Sequence, residues 1–123
     1  MNRTRPKNLN LFTIHFPLPA IVSILHRLSG AFLFLCIPLV LWLLAYSLTE
    51  DGFASLQQCM SSVTAKAIIW LLLIPFIFHL VAGIRHLLSD IHIGDTLKLG
   101  RAMALLTFIV TAVLVILAGV WLW

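Results

Sequence analysis

Three runs of apolar residues, each long enough to cross a bilayer and joined by short polar linkers, dictate most of what this chain can become. They cover about Leu25 to Leu48, Ala65 to Leu88 and Met103 to Trp123. A hydrocarbon core of ~30 Å is crossed by ~20 residues of helix, and a helix satisfies its own backbone polar groups where lipid offers none. With 62% hydrophobic and 10% charged residues, the 123-residue chain has too little polar surface for a soluble domain of its size. The expectation is an all-α membrane protein forming a single membrane-anchor domain, 1–123. An interfacial arm would cover 1–22, and transmembrane helices about 23–48, 65–88 and 103–123. Three helices bury little surface on their own, and a charged residue facing lipid costs roughly 2.5 to 3.5 kcal/mol. The chain is therefore expected to belong to a larger multi-subunit helical bundle.

Charge sets the expected orientation. Arg3, Arg5 and Lys7 precede the first run, and Arg85, Lys98 and Arg101 flank the second linker, whereas the first linker carries Glu50 and Asp51 with Lys66 as its nearest base. The positive-inside rule puts the N-terminus and second linker in the cytoplasm, and the first linker and C-terminus outside. Trp42, Tyr46, Trp70, Trp121 and Trp123 fall toward the outer ends of their runs. That is where an aromatic belt anchors helices to the headgroup boundary. Residues 1 to 7 are followed by mixed residues and two prolines, unlike a removable signal. Cys36 lies within the first run and Cys59 in the linker after it, so no disulfide framework is expected. No C-x-x-C-H motif is present, and any haem would be held non-covalently.

The second run ends in His79-Leu-Val-Ala82-Gly83-Ile-Arg85-His86-Leu-Leu-Ser-Asp90. On a helix, positions 79, 82, 83 and 86 share a face that reads imidazole, two small residues, imidazole, a groove against which a flat cofactor could lie. His79 lies roughly 13 Å from the cytoplasmic end of its run at 1.5 Å per residue. An ionisable residue at that depth is a functional candidate, and neutral imidazole is the usual axial ligand of b-type haem. The competing reading is an interhelical hydrogen bond. His86 stands about 10 Å further along the helix and cannot bind the same iron; it suits a haem propionate, as do Arg85 or the pair His26 and Arg27. His26 is expected to be too shallow to reach the iron opposite His79, so the second axial ligand is assigned to another chain.

On the first helix, Pro19 can occupy the first turn, where its missing N–H costs least, so the helix would begin before the hydrocarbon core. Ser23, His26, Arg27 and Ser29 then gather at the membrane boundary, with Ser23 and Arg27 one turn apart on one face. Either this is a ligand-binding group, or Arg27 snorkels to lipid phosphate and Ser23 bonds its own backbone. Pro38 and Pro75 can each bend a helix, and Pro75 stands one turn before His79. His15 and His92 are read as interfacial. The third run looks structural, with Thr107 and Thr111 as its polar groups and Ala112, Ala118 and Gly119 permitting close helix contact.

Ser-Ile-Leu-His-Arg-Leu-Ser-Gly at 23–30 and His-x-x-x-Gly-Ile-Arg-His-Leu-x-x-Asp at 79–90 resemble the succinate dehydrogenase cytochrome b556 subunit family, as does the opening Arg5-Pro-Lys-Asn-Leu9. The resemblance implies a membrane anchor of respiratory complex II, in a bacterial rather than a mitochondrial inner membrane. Such an anchor passes electrons from succinate oxidation in the soluble subunits to ubiquinone. It does not act on succinate itself; it contributes to the quinone site of a succinate:quinone oxidoreductase. The implied cofactor is one haem b shared with a second small anchor subunit that supplies the other iron ligand, and the remaining partners are a flavoprotein and an iron-sulfur subunit, with no nucleic acid. By motif position His79 becomes the axial ligand, Ser23 and Arg27 line the quinone site, and His26, Arg27 and His86 lie near the propionates. Pro19 departs from the family pattern, which implies a small polar residue such as threonine there. Alternative expectations are an anchor of a fumarate reductase using menaquinone, and a purely structural anchor or small transport component whose histidines only bridge helices.

Overall fold

A computed structural model describes residues 16–94 and 96–123; the basic N-terminal segment, with His15, and Asp95 lie outside the described residues. The order of elements is α1 (Leu18–Ser47), α2 (Glu50–Met60), α3 (Val63–Asp90) and α4 (Leu97–Leu122). The described residues are all-helical, and α1, α3 and α4 are long and apolar enough to cross a membrane.

Each boundary has a local cause. α1 starts behind Pro17 with Pro19 in its first turn, so neither missing N–H removes an intrahelical bond. It runs through Pro38, as α3 runs through Pro75. The first linker folds into α2, an element the hydropathy pattern does not announce. Thr49 Oγ1 accepts from the Gly52 amide (3.1 Å), and Glu50 and Asp51 place negative charge in the first turn. Gly52 is required there, since a Cβ would collide with the Tyr46 carbonyl oxygen and the Thr49 side chain. Ser62 caps α3 through the Ala65 amide (3.2 Å), and Thr96 caps α4 through the Leu99 amide (3.3 Å). Between them His92 (φ 63°) and Gly94 (φ 100°) adopt left-handed backbone that helps turn the chain back.

α3 packs against both α1 and α4, and α1 also reaches α4. The shared core is small: Val22, Phe78, Ala82 and Ala104 are buried, with Leu18 and Phe108 against them. The Phe78 and Phe108 rings meet at 5.8 Å, tilted by 32°. Ala82 and Ala104 have no measurable exposure, so small residues bring these backbones together. On α4 Thr107 and Thr111 are buried and turn their hydroxyls onto the Met103 and Thr107 carbonyls (2.9 and 2.7 Å). Trp70 does more than belong to a belt. Its indole Nε1 donates to the Val115 carbonyl oxygen (2.9 Å), tying α3 to α4, and it lies over Gly119.

Most large apolar side chains face outward, from Phe34 and Leu35 on α1 to Val120 and Trp121 on α4. Lipid and neighbouring helices are the surroundings such a surface suits.

Candidate functional site

The core described above holds α1 and α3 against each other at the level of two histidines. His26 lies eight residues into α1, about 12 Å from its start, and His79 eleven residues before the end of α3, about 16 Å. Because these are the two ends that lie together, the rings meet. His26 and His79 stack with centroids 4.1 Å apart and planes 11° from parallel. The depth difference expected between His26 and His79 is thus corrected, since the two rings stand level between α1 and α3, while α1 begins at Leu18 with Pro19 in its first turn as expected. Stacked, near-parallel rings still do not stand on opposite sides of a common centre, as two axial ligands of one iron must.

His79 is held at Nδ1. That atom lies 3.0 Å from the His26 carbonyl oxygen and 3.1 Å from Ser29 Oγ, while Ser29 Oγ donates to the same carbonyl at 2.9 Å. A carbonyl oxygen only accepts, so Nδ1 carries the proton, and Nε2 keeps its lone pair. Gly30 makes room for the ring: a Cβ there would stand 2.8 Å from His79 Cε1. Beside His79 runs an open groove of about 410 Å³ between α1 and α3, walled by Gly30, Phe34, Ile37, Leu41 and Phe76. His79 contributes an imidazole to that wall, the rest of which is almost entirely apolar.

The face of α3 that reads His79, Ala82, Gly83, His86 is divided. Ala82 turns into the core, whereas Gly83 receives the edge of His26, whose Nε2 lies 3.3 Å from where a Cβ would be. His86 flanks the same ring at 5.0 Å, tilted by 46°. Within this chain the small-residue groove therefore holds the His26 imidazole. Arg27, Arg85 and Asp90 all act electrostatically on His86, so the shallow end of the cluster is rich in charge. Ser23 is half-buried and Arg27 exposed, one turn apart on α1, and neither side chain has a hydrogen bond or ion pair among the described residues. The reading in which Ser23 is consumed by its own backbone is not what is found.

Sequence reasoning found His79, His26 and His86 but missed the parts played by Ser29 and Gly30. Their only signal was position, three and four residues after His26, which on a helix puts them on the same side. Among the described residues no three His, Cys, Asp or Glu side chains converge on a point. A single imidazole with a free lone pair beside an apolar groove suits a metal that brings its own equatorial donors.

Fold and site together define a small polytopic membrane subunit that carries a histidine cluster between two of its three spanning helices. Residues 1–118 match the family described as "Succinate dehydrogenase/Fumarate reductase transmembrane subunit", and the chain belongs to that family. It is 42% identical to the succinate dehydrogenase cytochrome b556 subunit of Coxiella burnetii, over the full length of both. It is 34% identical to the subunit of the same name from Rickettsia prowazekii, over 76% of this chain and 73% of that one. The corresponding subunit of Paracoccus denitrificans is also 34% identical, over 73% and 70%. With bacterial relatives and three apolar spans, the protein is a multi-pass subunit of a bacterial inner membrane. As the membrane anchor of a succinate dehydrogenase or fumarate reductase, it works with soluble subunits.

Proposed function

We propose that this chain is a haem b- and quinone-binding anchor, through which electrons from succinate oxidation in the soluble subunits reach ubiquinone. The observation that carries this reading is His79, with Nδ1–H committed to the His26 carbonyl oxygen at 3.0 Å and Nε2 left with its lone pair beside an apolar groove. Iron-ligating histidines are oriented in this way, by an acceptor that holds the ring N–H facing away from the metal. The b-type cytochrome name of its relatives fits the same donor set. His79 would hold the iron, with His26, Arg27 and His86 at the propionate side, where charge-assisted donors gather. Bound there, the haem would supply a one-electron store. Its other axial ligand would come from a second small anchor subunit, because His26 is stacked on His79 and not opposite it.

Ser23 and Arg27 would serve the quinone. Their polar groups are uncommitted and share one face of α1, at the end that the positive-inside rule would turn toward the cytoplasm. Ser23 would donate a hydrogen bond to a quinone carbonyl oxygen. Arg27 would stabilise the negative charge that builds on that oxygen when an electron arrives ahead of its proton. Two electrons and two protons complete the quinol. The N-terminus would be cytoplasmic and the C-terminus outside.

The test is Arg27→Ala in the intact membrane complex. Removing a donor from a developing oxyanion costs on the order of a hundredfold to a thousandfold in rate. Quinone reduction should fall by that much while succinate oxidation by an artificial dye is spared. Unchanged quinone reduction would refute the assignment. Comparing ubiquinone with menaquinone analogues as acceptors separates this reading from a fumarate-reducing anchor.

A further inference from the structure

We infer that Ser29 is a positioning residue for the metal-binding imidazole, its hydroxyl sharing the His79 Nδ1–H with the His26 carbonyl oxygen and so setting the ligand's tautomer, plane and basicity. This inference rests on the haem reading of His79 and extends it to a residue that makes no contact of its own with the groove. Serine and threonine hydroxyls on helices commonly bond a carbonyl one turn back, and here Ser47, Thr107 and Thr111 do only that. Ser29 does that and more. It is buried, at 8% exposure, and besides donating to the His26 carbonyl oxygen at 2.9 Å it lies 3.1 Å from His79 Nδ1 on the neighbouring helix.

The three contacts close into a triangle with one consistent assignment of protons. The hydroxyl proton goes to the His26 carbonyl oxygen, leaving the Oγ lone pairs to face His79. The Nδ1–H must then point between two oxygens, both of which accept. A second acceptor does two things to an imidazole. It fixes the ring plane, which Gly30 on the adjacent position leaves space for. It also draws on the N–H and raises electron density at the far nitrogen, making Nε2 a stronger donor to an oxidised metal. Loss of the hydroxyl leaves the tautomer to the His26 carbonyl alone and weakens that donation, so the reduced metal is relatively favoured.

The experiment is a redox titration of the b-type absorption in the intact, detergent-solubilised complex carrying Ser29→Ala or Ser29→Thr. In Ser29→Ala the midpoint potential should rise, with a reduced-to-oxidised ratio about threefold to tenfold higher at a fixed ambient potential, tenfold being about 59 mV for one electron. Ser29→Thr, which keeps the hydroxyl, should titrate as the wild type. Full haem content with an unshifted potential in Ser29→Ala overturns the inference, and so does an equal displacement in both variants. An assembled Ser29→Ala complex lacking haem that Ser29→Thr retains supports it; loss from both overturns it. Should the alanine variant fail to assemble, Ser29→Cys fills the same space with a much weaker acceptor and must show the same rise. Absence of b-type absorption from the wild-type complex overturns the haem reading itself, a result distinct from any of these.

Discussion

At the scale of single residues, the site depends on how little freedom His79 has. Its Nδ1 is bonded, one face is covered by His26, and its Cε1 approaches Gly30 too closely to admit a methyl group. Gly30→Ala would place a Cβ 2.8 Å from that carbon, and the ring would have to give up its Nδ1 bond or its stack on His26 to move away. Overpacking of this kind costs typically about 1 to 3 kcal/mol. The expected outcome is a complex with reduced haem content and a displaced b-type spectrum; a native spectrum would show that α1 and α3 separate freely at this level. His79→Leu should weaken haem retention while dye-linked succinate oxidation continues, read from a reduced-minus-oxidised optical spectrum. The histidines were legible in the sequence because an ionisable group deep in an apolar run is conspicuous. The clamp was not. It depends on which residues of α1 stand level with His79, and the hydropathy of one helix carries no information about its register against another.

At the scale of elements, the apolar runs announce the three spanning helices, yet α2 went unread although its signals were present. Thr49 followed by Glu50, Asp51 and a glycine is a helix start. The element mixes polar and apolar residues because it lies outside the spans, and a search for membrane crossings passes over it. Removing its cap with Thr49→Ala should destabilise α2 by about 1 kcal/mol and leave the spans in place. Proteolysis or hydrogen exchange confined to residues 50–60 would register it. Trp70 teaches the converse lesson. Its position suggested a belt, and the indole instead donates across to the Val115 carbonyl oxygen beside Gly119. Interhelical hydrogen bonds in membranes average about 0.6 kcal/mol. Trp70→Phe should therefore lower the melting temperature of the solubilised complex only slightly, whereas Gly119→Leu, which pushes against the indole itself, should lower it more.

At the scale of the whole molecule, the chain presents far more apolar surface than it buries, and its core is confined to the end of the bundle that carries the histidines. The orientation of that bundle is open to a direct measurement through a native side chain. Cys59 is exposed on α2, whereas Cys36 is half-buried on α1. With the N-terminus cytoplasmic, an impermeant maleimide should label Cys59 from the outer face of intact spheroplasts, and labelling seen only after permeabilisation would invert the proposed topology. The same incompleteness bears on the cofactor. On the proposed function, His79 would hold a six-coordinate b haem together with a second imidazole, and His26, the histidine stacked on it, lies beside it with its plane 11° from parallel. His86 in turn is packed against His26. Expressed without its partner subunits, this chain should not give a six-coordinate, low-spin b-type spectrum, and co-expression with the other membrane subunit of the complex should restore it. A low-spin spectrum from the chain alone would mean either that His26 leaves the stack to ligate the iron or that two copies share one haem. The variant His26→Phe, which keeps a ring against Gly83 and cannot bind metal, separates those two: it abolishes the spectrum in the first case and preserves it in the second.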